Sequence, residues 1–455
     1  MDKRIERDTM GEVKVEEDKL WGAQTQRSVE NFPIGNEKMP KPLIESFILL
    51  KRSAAVANYK LNQLSREKKE AILQACDELL NQPDLLKHFP LSVWQTGSGT
   101  QTNMNTNEVL TRLGNQYLKE GQLHPNDDLN KSQSSNDTFP TAMHMASVRV
   151  IENDLMPALQ VIKQTLLEKM RSYQEVVKIG RTHLQDATPL TLAQEISAWV
   201  HMIEKVESML ANDLLYLREV PIGGTAVGTG INAPDDFDRV ITAELTDQLG
   251  TEFIPTPNKF HGLTSHDQIV RAHGTLKALA GDLMKMANDI RYLSSGPRAG
   301  YGEMSIPANE PGSSVMPGKV NPTQAEALTM ISVQVMGNDT AIGVAASQGQ
   351  FQLNVYKPVI IHNFLQSVRL LTDGIHSFNE RCLMGLAPVE SKIQENLERS
   401  LMLVTALNPY IGYENAAKIA KKAYEDNLSL KQAAVKLELV SEEQFDQWVN
   451  PQNMI

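Results

Sequence analysis

The segment Gly312-Ser313-Ser314-Val315-Met316-Pro317-Gly318-Lys319-Val320-Asn321-Pro322 sets a lysine and two serines in a run rich in glycine and proline. Small residues let backbone N–H groups converge on an anion, and a helix starting directly afterwards adds partial positive charge. Lys319 adds a full charge at the same place. The run is not a P-loop: Gly312 and Gly318 are one residue too far apart, and Val320 stands where Ser or Thr is required. An anion site is a better reading than an idle connection. The Gly and Ser content also predicts a mobile lid.

A second candidate is His183, in Gly180-Arg181-Thr182-His183-Leu184-Gln185-Asp186-Ala187-Thr188-Pro189. Histidine titrates near neutral pH and serves as a general acid or base. The plainer alternative is a structural histidine whose N–H is accepted by Asp186. Residues 95–105 and 132–137 are dense in neutral hydrogen-bonding side chains. Turn and cap chemistry favours the same residue types. Beside a lysine-bearing loop, they suit recognition of a small, oxygenated anion. Gly223-Gly224-Thr225-Ala226-Val227-Gly228 lacks a preceding strand and a dinucleotide fingerprint, which rejects a Rossmann reading. Of His261, His266 and His273, only the last two share a helical face. No HxxxH or HExxH occurs, so no metal site is expected.

These residues need elements to hold them. Leu192, Ile196, Trp199, Ile203, Val206, Leu210, Leu214 and Leu217 fall at steps of three and four, which predicts one long helix. Ile269, Ala272, Leu276, Leu279, Leu283, Met286, Ile290 and Leu293 predict another, stopped by Ser294-Ser295-Gly296-Pro297. A third is expected from Asn321-Pro322, with Asn as cap and Pro at the first helical position, through Ala325, Leu328, Ile331 and Val335. Two more are expected over 140–173, with a kink at Pro157, and over 362–378. Helices this long exceed the usual ~11–12 residues and suit a bundle, including one completed by other subunits. Polar connections are expected over 95–107, 121–137, 223–232 and 296–321, where function concentrates. The last ~50 residues, with Pro409, Gly412 and short amphipathic segments, read as a small separate helical domain.

Composition narrows the function classes. The chain has 455 residues, 44 Lys+Arg, 55 Asp+Glu and a formal charge of −11. That balance argues against nucleic acid and anionic membranes, which demand a basic surface. A hydrophobic fraction of 41% supports a large core. Cys76 and Cys382 read as free thiols in a reducing compartment. The charged start and the lack of any long apolar run predict a soluble cytoplasmic protein.

The run 312–322 is similar to the GSSxMPxKxNP signature of the fumarase/aspartase superfamily. Residues 19–28, 94–103, 124–127, 131–137, 180–192 and 318–330 resemble class II fumarases, and the resemblance extends from about residue 5 to the C-terminus. Aspartases typically carry Gln where this chain has His183, and usually Pro where it has Ala325 before Glu326.

The resemblance implies a mainly α fold in three parts, over 1–136, 137–360 and 361–455. Four protomers would join their long helices in a 20-helix core. It implies reversible hydration of fumarate to L-malate without metal or organic cofactor, in active sites shared by three chains. Ser313 matches the family's base, and His183 stands opposite with Glu326 as its partner; the histidine, or a water it holds, could serve as the acid. Ser98, Thr100, Ser134, Ser135, Asn136, Thr182, Ser314, Lys319 and Asn321 match substrate-binding positions. His124, Asn126 and Asp127 match a second dicarboxylate site, although Gly121-Gln122-Leu123 before it carries no positive charge. Gln352 and Ala193 depart from residues frequent in the family, outside these positions. The rivals are aspartate ammonia-lyase and a non-catalytic oligomer on the same fold. His183 opposes the first, and the joint presence of Ser313, His183 and Lys319 opposes the second.

Overall fold

The computed structural model describes residues 2–455. Four long helices, Leu192–Leu217, Asp267–Leu293, Thr323–Ala346 and Lys357–Phe378, supply its frame. Every residue named above for the seams of the first two is buried, as a three-and-four repeat on one helical face requires. Among the described residues, no helix is long and apolar enough to cross a membrane.

Several boundaries depart from the sequence expectation, each for a local reason. The third helix starts at Thr323, because Asn321 does not cap it: its side-chain amide donates to the Gly312 carbonyl at 2.6 Å. The Pro322 carbonyl accepts the first helical N–H, from Glu326. The expected 140–173 helix begins earlier, at Ser135, and breaks into Ser135–Val150 and Met156–Ser172 around a π turn over Ile151–Leu155. Pro157 has no N–H to give and crowds the preceding carbonyls, and a wider turn just before it relieves both. The expected connection 95–107 is largely helix, Thr100–Gly114. Its polar face is buried, with Thr102 donating to Gln95 Oε1 and Asn105 to the His88 carbonyl. Sequence polarity therefore mimicked a loop.

The chain divides into two compact units. One comprises the chain up to Pro157 with Glu207–Ala280 and Val333–Thr372. Here the Lys41–Lys60 helix packs on Arg66–Leu80, Ser135–Val150 and Phe237–Leu249, with Phe47 edge-on to Phe139 at 5.5 Å. A buried polar network crosses its core: His273 bonds Asp339 through Nδ1 at 3.0 Å and Ser367 through Nε2 at 2.8 Å. The other unit comprises Ala158–Val206, Gly281–Ser332 and Asp373–Ile455. It holds the antiparallel hairpin of Val177–Thr182 and Gln185–Thr191. The C-terminal helices Tyr413–Glu425 and Leu430–Lys436 share one apolar core with Val177 and Ile179 of that hairpin. Each fully buried aliphatic or aromatic side chain there contributes about 1.5–3 kcal/mol.

Both cysteines are buried and unpaired. Burial pushes the Cys76 thiol far up and the Cys382 thiol up to about 12. The thiolate is the reactive form. A thiolate-selective disulfide reagent at pH 8 is therefore expected to label neither cysteine in the native protein and both after unfolding. Rapid native labelling would contradict the burial.

Candidate active site

In the first unit, the start of the Ser135–Val150 helix organises a polar cluster. Ser134 caps it: its hydroxyl accepts the Asn136 N–H, while Asp137 accepts the Ser134 N–H at 2.9 Å. The other Asp137 oxygen accepts N–H groups from Gly223 at 3.0 Å and Thr225 at 2.9 Å. Asn136 adds a bond to the Ala226 carbonyl at 2.8 Å. One buried carboxylate thus ties the helix start to the 223–226 loop. Ser98, Thr100 and Ser135 form a chain of hydroxyls, at 2.9 and 2.7 Å. Gly99 permits the turn between the first two. Its φ is +78°, and a Cβ there would lie 1.9 Å from Phe139.

A cavity of about 750 Å³ opens over this cluster, lined by Thr100, Ser134 and Ser135 and also by Asn126, Asp127 and Lys131. The structure thus brings two residues of the expected second dicarboxylate site into the same cavity as Ser134 and Ser135, expected to bind substrate. His124 stands beside them with its Nδ1 accepting the N–H groups of Asn126 and Asp127, at 3.3 and 3.2 Å. The Asp127 carboxylate also stands 3.3 Å from that nitrogen. Lys131 supplies a cation that the stretch before His124 lacks.

Behind the cluster, Lys51 is buried and donates to Asn130 and Gln133 at 3.2 and 2.9 Å. Burial pulls the ammonium groups of Lys51 and Lys357 down to about 7, against the attraction of Asp137. Burial also holds the Asp137 carboxyl above the ordinary range, against three N–H donors and Lys51. These residues escaped sequence reasoning; the Ser134-x-x-Asp137 spacing, that of a capping box, is the one signal that could have found Asp137.

In the second unit, the glycine- and proline-rich segment forms a closed loop. The Gly312 N–H donates to the Lys319 carbonyl at 2.9 Å, and Asn321 ties back to Gly312. Inside it, the Ser313 hydroxyl oxygen accepts N–H groups from Val315 and Met316 at 3.1 and 3.0 Å. Ser314 and Lys319 are exposed. A cavity of about 750 Å³ is lined by Lys319, Asn321 and Glu326, with Arg291 and Lys392 adding positive charge.

Thr182 and His183 sit at the tip of the hairpin, exposed. Thr182 pairs with Gln185, so His183 and Leu184 form a two-residue turn, at φ +57° and +60°. Such turns favour Asn-Gly, and non-glycine residues held in unfavourable backbone regions cost about 1–3 kcal/mol each. Asp186 pairs with Arg181 in the hairpin, and no hydrogen bond joins it to His183 among the described residues. None joins His183 to Glu326 either. The histidine is held out by its turn, not tethered within its own chain. No group of three or more His, Cys, Asp or Glu able to hold a metal occurs among the described residues.

The chain matches the lyase family model over residues 11–337 and the fumarase C C-terminus model over 403–455. It is 62% identical to the class II fumarate hydratase of Oceanobacillus iheyensis and 61% identical to that of Bacillus subtilis, covering 100% of this chain and 99% of each relative. The crystal structure of class II fumarase from Schistosoma mansoni superposes with a TM-score of 0.97 at 40% identity, covering 100% of this chain and 99% of that one. A fumarate lyase:delta crystallin from Brucella melitensis gives 0.95 at 38% identity, with the same coverage. With identity this high over the full length of both chains, and with the signature loop, the hairpin histidine and the serine-capped helix all in place, the chain belongs to the class II fumarase family.

Proposed function

We propose that the protein catalyses the reversible hydration of fumarate to L-malate. The observation that carries this most directly is the Ser313 hydroxyl, held by two N–H groups in the loop that presents Lys319. A serine is a poor base unless its alkoxide is stabilised; two N–H donors do that here, and Lys319 of the same loop would add its charge. Ser313 would take the C3 proton of malate. The dianionic aci-carboxylate that forms would be held by Lys319 and Asn321, with Ser314 beside them. Each well-placed donor of this kind is worth ~10²–10³ in rate. Ser98 and Thr100 would grip the substrate from the start of Thr100–Gly114, and Ser134, Ser135 and Asn136 from that of Ser135–Val150, positions that suit an anion. His183, with Thr182 beside it and Glu326 as partner, would protonate the departing hydroxide from the opposite face. No metal or organic cofactor enters this scheme.

The same reading includes a homotetramer with each site drawn from three chains. In support, the Thr323–Ala346 helix is apolar on its outer face too: Met330, Val333 and Val344 are 67%, 62% and 60% exposed in the single chain. Large exposed apolar faces mark interaction surfaces. A second copy is the natural cover for this one, and His183 then finds Glu326 on a neighbouring chain. The division at residues 136 and 360, the second dicarboxylate site at His124, Asn126 and Asp127, and a cytoplasmic location belong to the same proposal.

The test is loss of the fumarate ultraviolet absorbance on adding purified protein, with aspartate assayed in parallel. Rapid fumarate loss with no ammonia from aspartate is expected. Activity on aspartate alone would move the chain to the sister activity.

A further inference from the structure

Directly below the His183 turn lies a buried ionic network. Arg181 donates from both terminal guanidinium nitrogens, Nη1 and Nη2, to Glu303, at 3.1 and 2.5 Å. Its guanidinium also stacks over the Tyr301 ring, 4.5 Å from the centroid. Glu303 is fully buried and accepts a further bond from Asn396, at 3.0 Å. Lys178, equally buried, reaches Glu303 at 3.4 Å and Glu195 at 3.2 Å. The network therefore holds two cations and two carboxylates. Burial raises the Glu303 carboxyl, but Arg181 and Lys178 outweigh burial and hold it below the ordinary range.

The connections matter more than the charges. Arg181 stands two positions before His183, on the strand that ends in the strained turn. Glu303 heads the segment that leads into the catalytic loop, with Ser313 ten positions on (303 to 313). The Glu303 backbone is fixed as well: its N–H donates to Leu293 and its carbonyl accepts from Val389, both at 2.8 Å. Asn396 lies on the Glu390–Arg399 helix, which packs against the strand carrying Arg181. A strand and a helix thus converge on one carboxylate.

We propose that Arg181 and Glu303 are positioning residues, fixing the His183 turn to the base of the Ser313 loop, so that each chain presents both elements in a set geometry to the sites it shares. This rests on the proposed hydratase reading, in which His183 is the acid. A two-residue turn with both residues at positive φ persists only where its surroundings over-determine it, and the planar two-bond fork of Arg181 does so. Lysine would keep the charge and lose the fork and the stacking.

The variants are Arg181→Lys, chosen because it is the one most sure to fold, and Glu303→Asp, which keeps the carboxylate and shortens its reach. Fumarate and malate kinetics would be measured on full-length protein, together with exchange of the malate C3 hydrogen in D₂O by proton NMR. A misplacement of about 1 Å can cost ~10²-fold in rate, so kcat is expected to fall ~10–10²-fold while KM changes little. In Arg181→Lys the turn carrying the acid loosens first, so C3 exchange is expected to fall less than net dehydration. A general weakening of the fold would lower exchange and dehydration together, with a lower thermal midpoint, and that result overturns the proposal. So does wild-type kcat in both variants. A wild-type protein that does not turn over fumarate would overturn the underlying reading instead, and it would be seen before any variant is compared.

Discussion

Replacing Ser313 by alanine is expected to lower kcat for fumarate hydration by at least ~10³-fold, with KM within a few-fold of wild type. The two N–H groups that hold the Ser313 oxygen would have nothing to stabilise. General-base catalysis by a positioned group contributes ~10²–10⁴-fold, and removing a transition-state interaction lowers kcat and kcat/KM together. The side chain is small and half-buried in an irregular loop, so folding should be unaffected. The Gly312–Lys319 and Asn321–Gly312 bonds involve no Ser313 atom and would keep the loop closed. Stopped and continuous ultraviolet assays on the variant would read the effect. Turnover within tenfold of wild type would remove Ser313 from the role of base. The same closing bonds qualify the expectation of a mobile lid: motion should concentrate at the exposed tip, Val315 and Met316, rather than at the base.

The second large effect is expected at Asp137, through stability rather than chemistry. Asp137→Ala removes the acceptor for the N–H groups of Ser134, Gly223 and Thr225. It also leaves buried Lys51 and Lys357 without the carboxylate that attracts them. Breaking a buried charged arrangement from one side typically costs about 3–5 kcal/mol. Asp137→Asn should cost less, about 1–3 kcal/mol: its amide oxygen can still serve Gly223 and Thr225, while its NH₂ would oppose the Ser134 N–H. Urea unfolding followed by circular dichroism would rank the three proteins, with Ala least stable and Asn between. An Ala midpoint equal to wild type would show that the helix start does not depend on this carboxylate. Residual folded Asp137→Ala protein should also have raised KM, because Ser134, Ser135 and Asn136 lose their anchor.

Legibility in the sequence followed the range over which each signal acts. The seams of Leu192–Leu217 and Asp267–Leu293 were visible because a 3.6-residue repeat needs only neighbours along the chain. The glycine- and proline-rich loop and the hairpin histidine stood out as candidates because of their residue types. The polar helix Thr100–Gly114 was hidden, since its Asn and Thr residues are satisfied by distant partners such as Gln95, His88 and Asn130. The break at Ile151–Leu155 was half visible: Pro157 predicted a disturbance, but not that a wider turn would absorb it. Nothing local distinguished Asp137 from an ordinary cap, and nothing marked His183-Leu184 as a turn with both residues at positive φ.

The sequence by itself determined which groups are available: a serine and a lysine in one small-residue loop, a histidine before a long helix, and a serine-rich helix start. Those are properties of residue type and short spacing. Tertiary structure decided what holds them. Asp137 meets Gly223 and Thr225 across 86 and 88 positions, and Glu303 meets Arg181 and Asn396 across 122 and 93. A buried carboxylate is stable only where several donors converge on it, and donors that far apart converge only when the chain has folded.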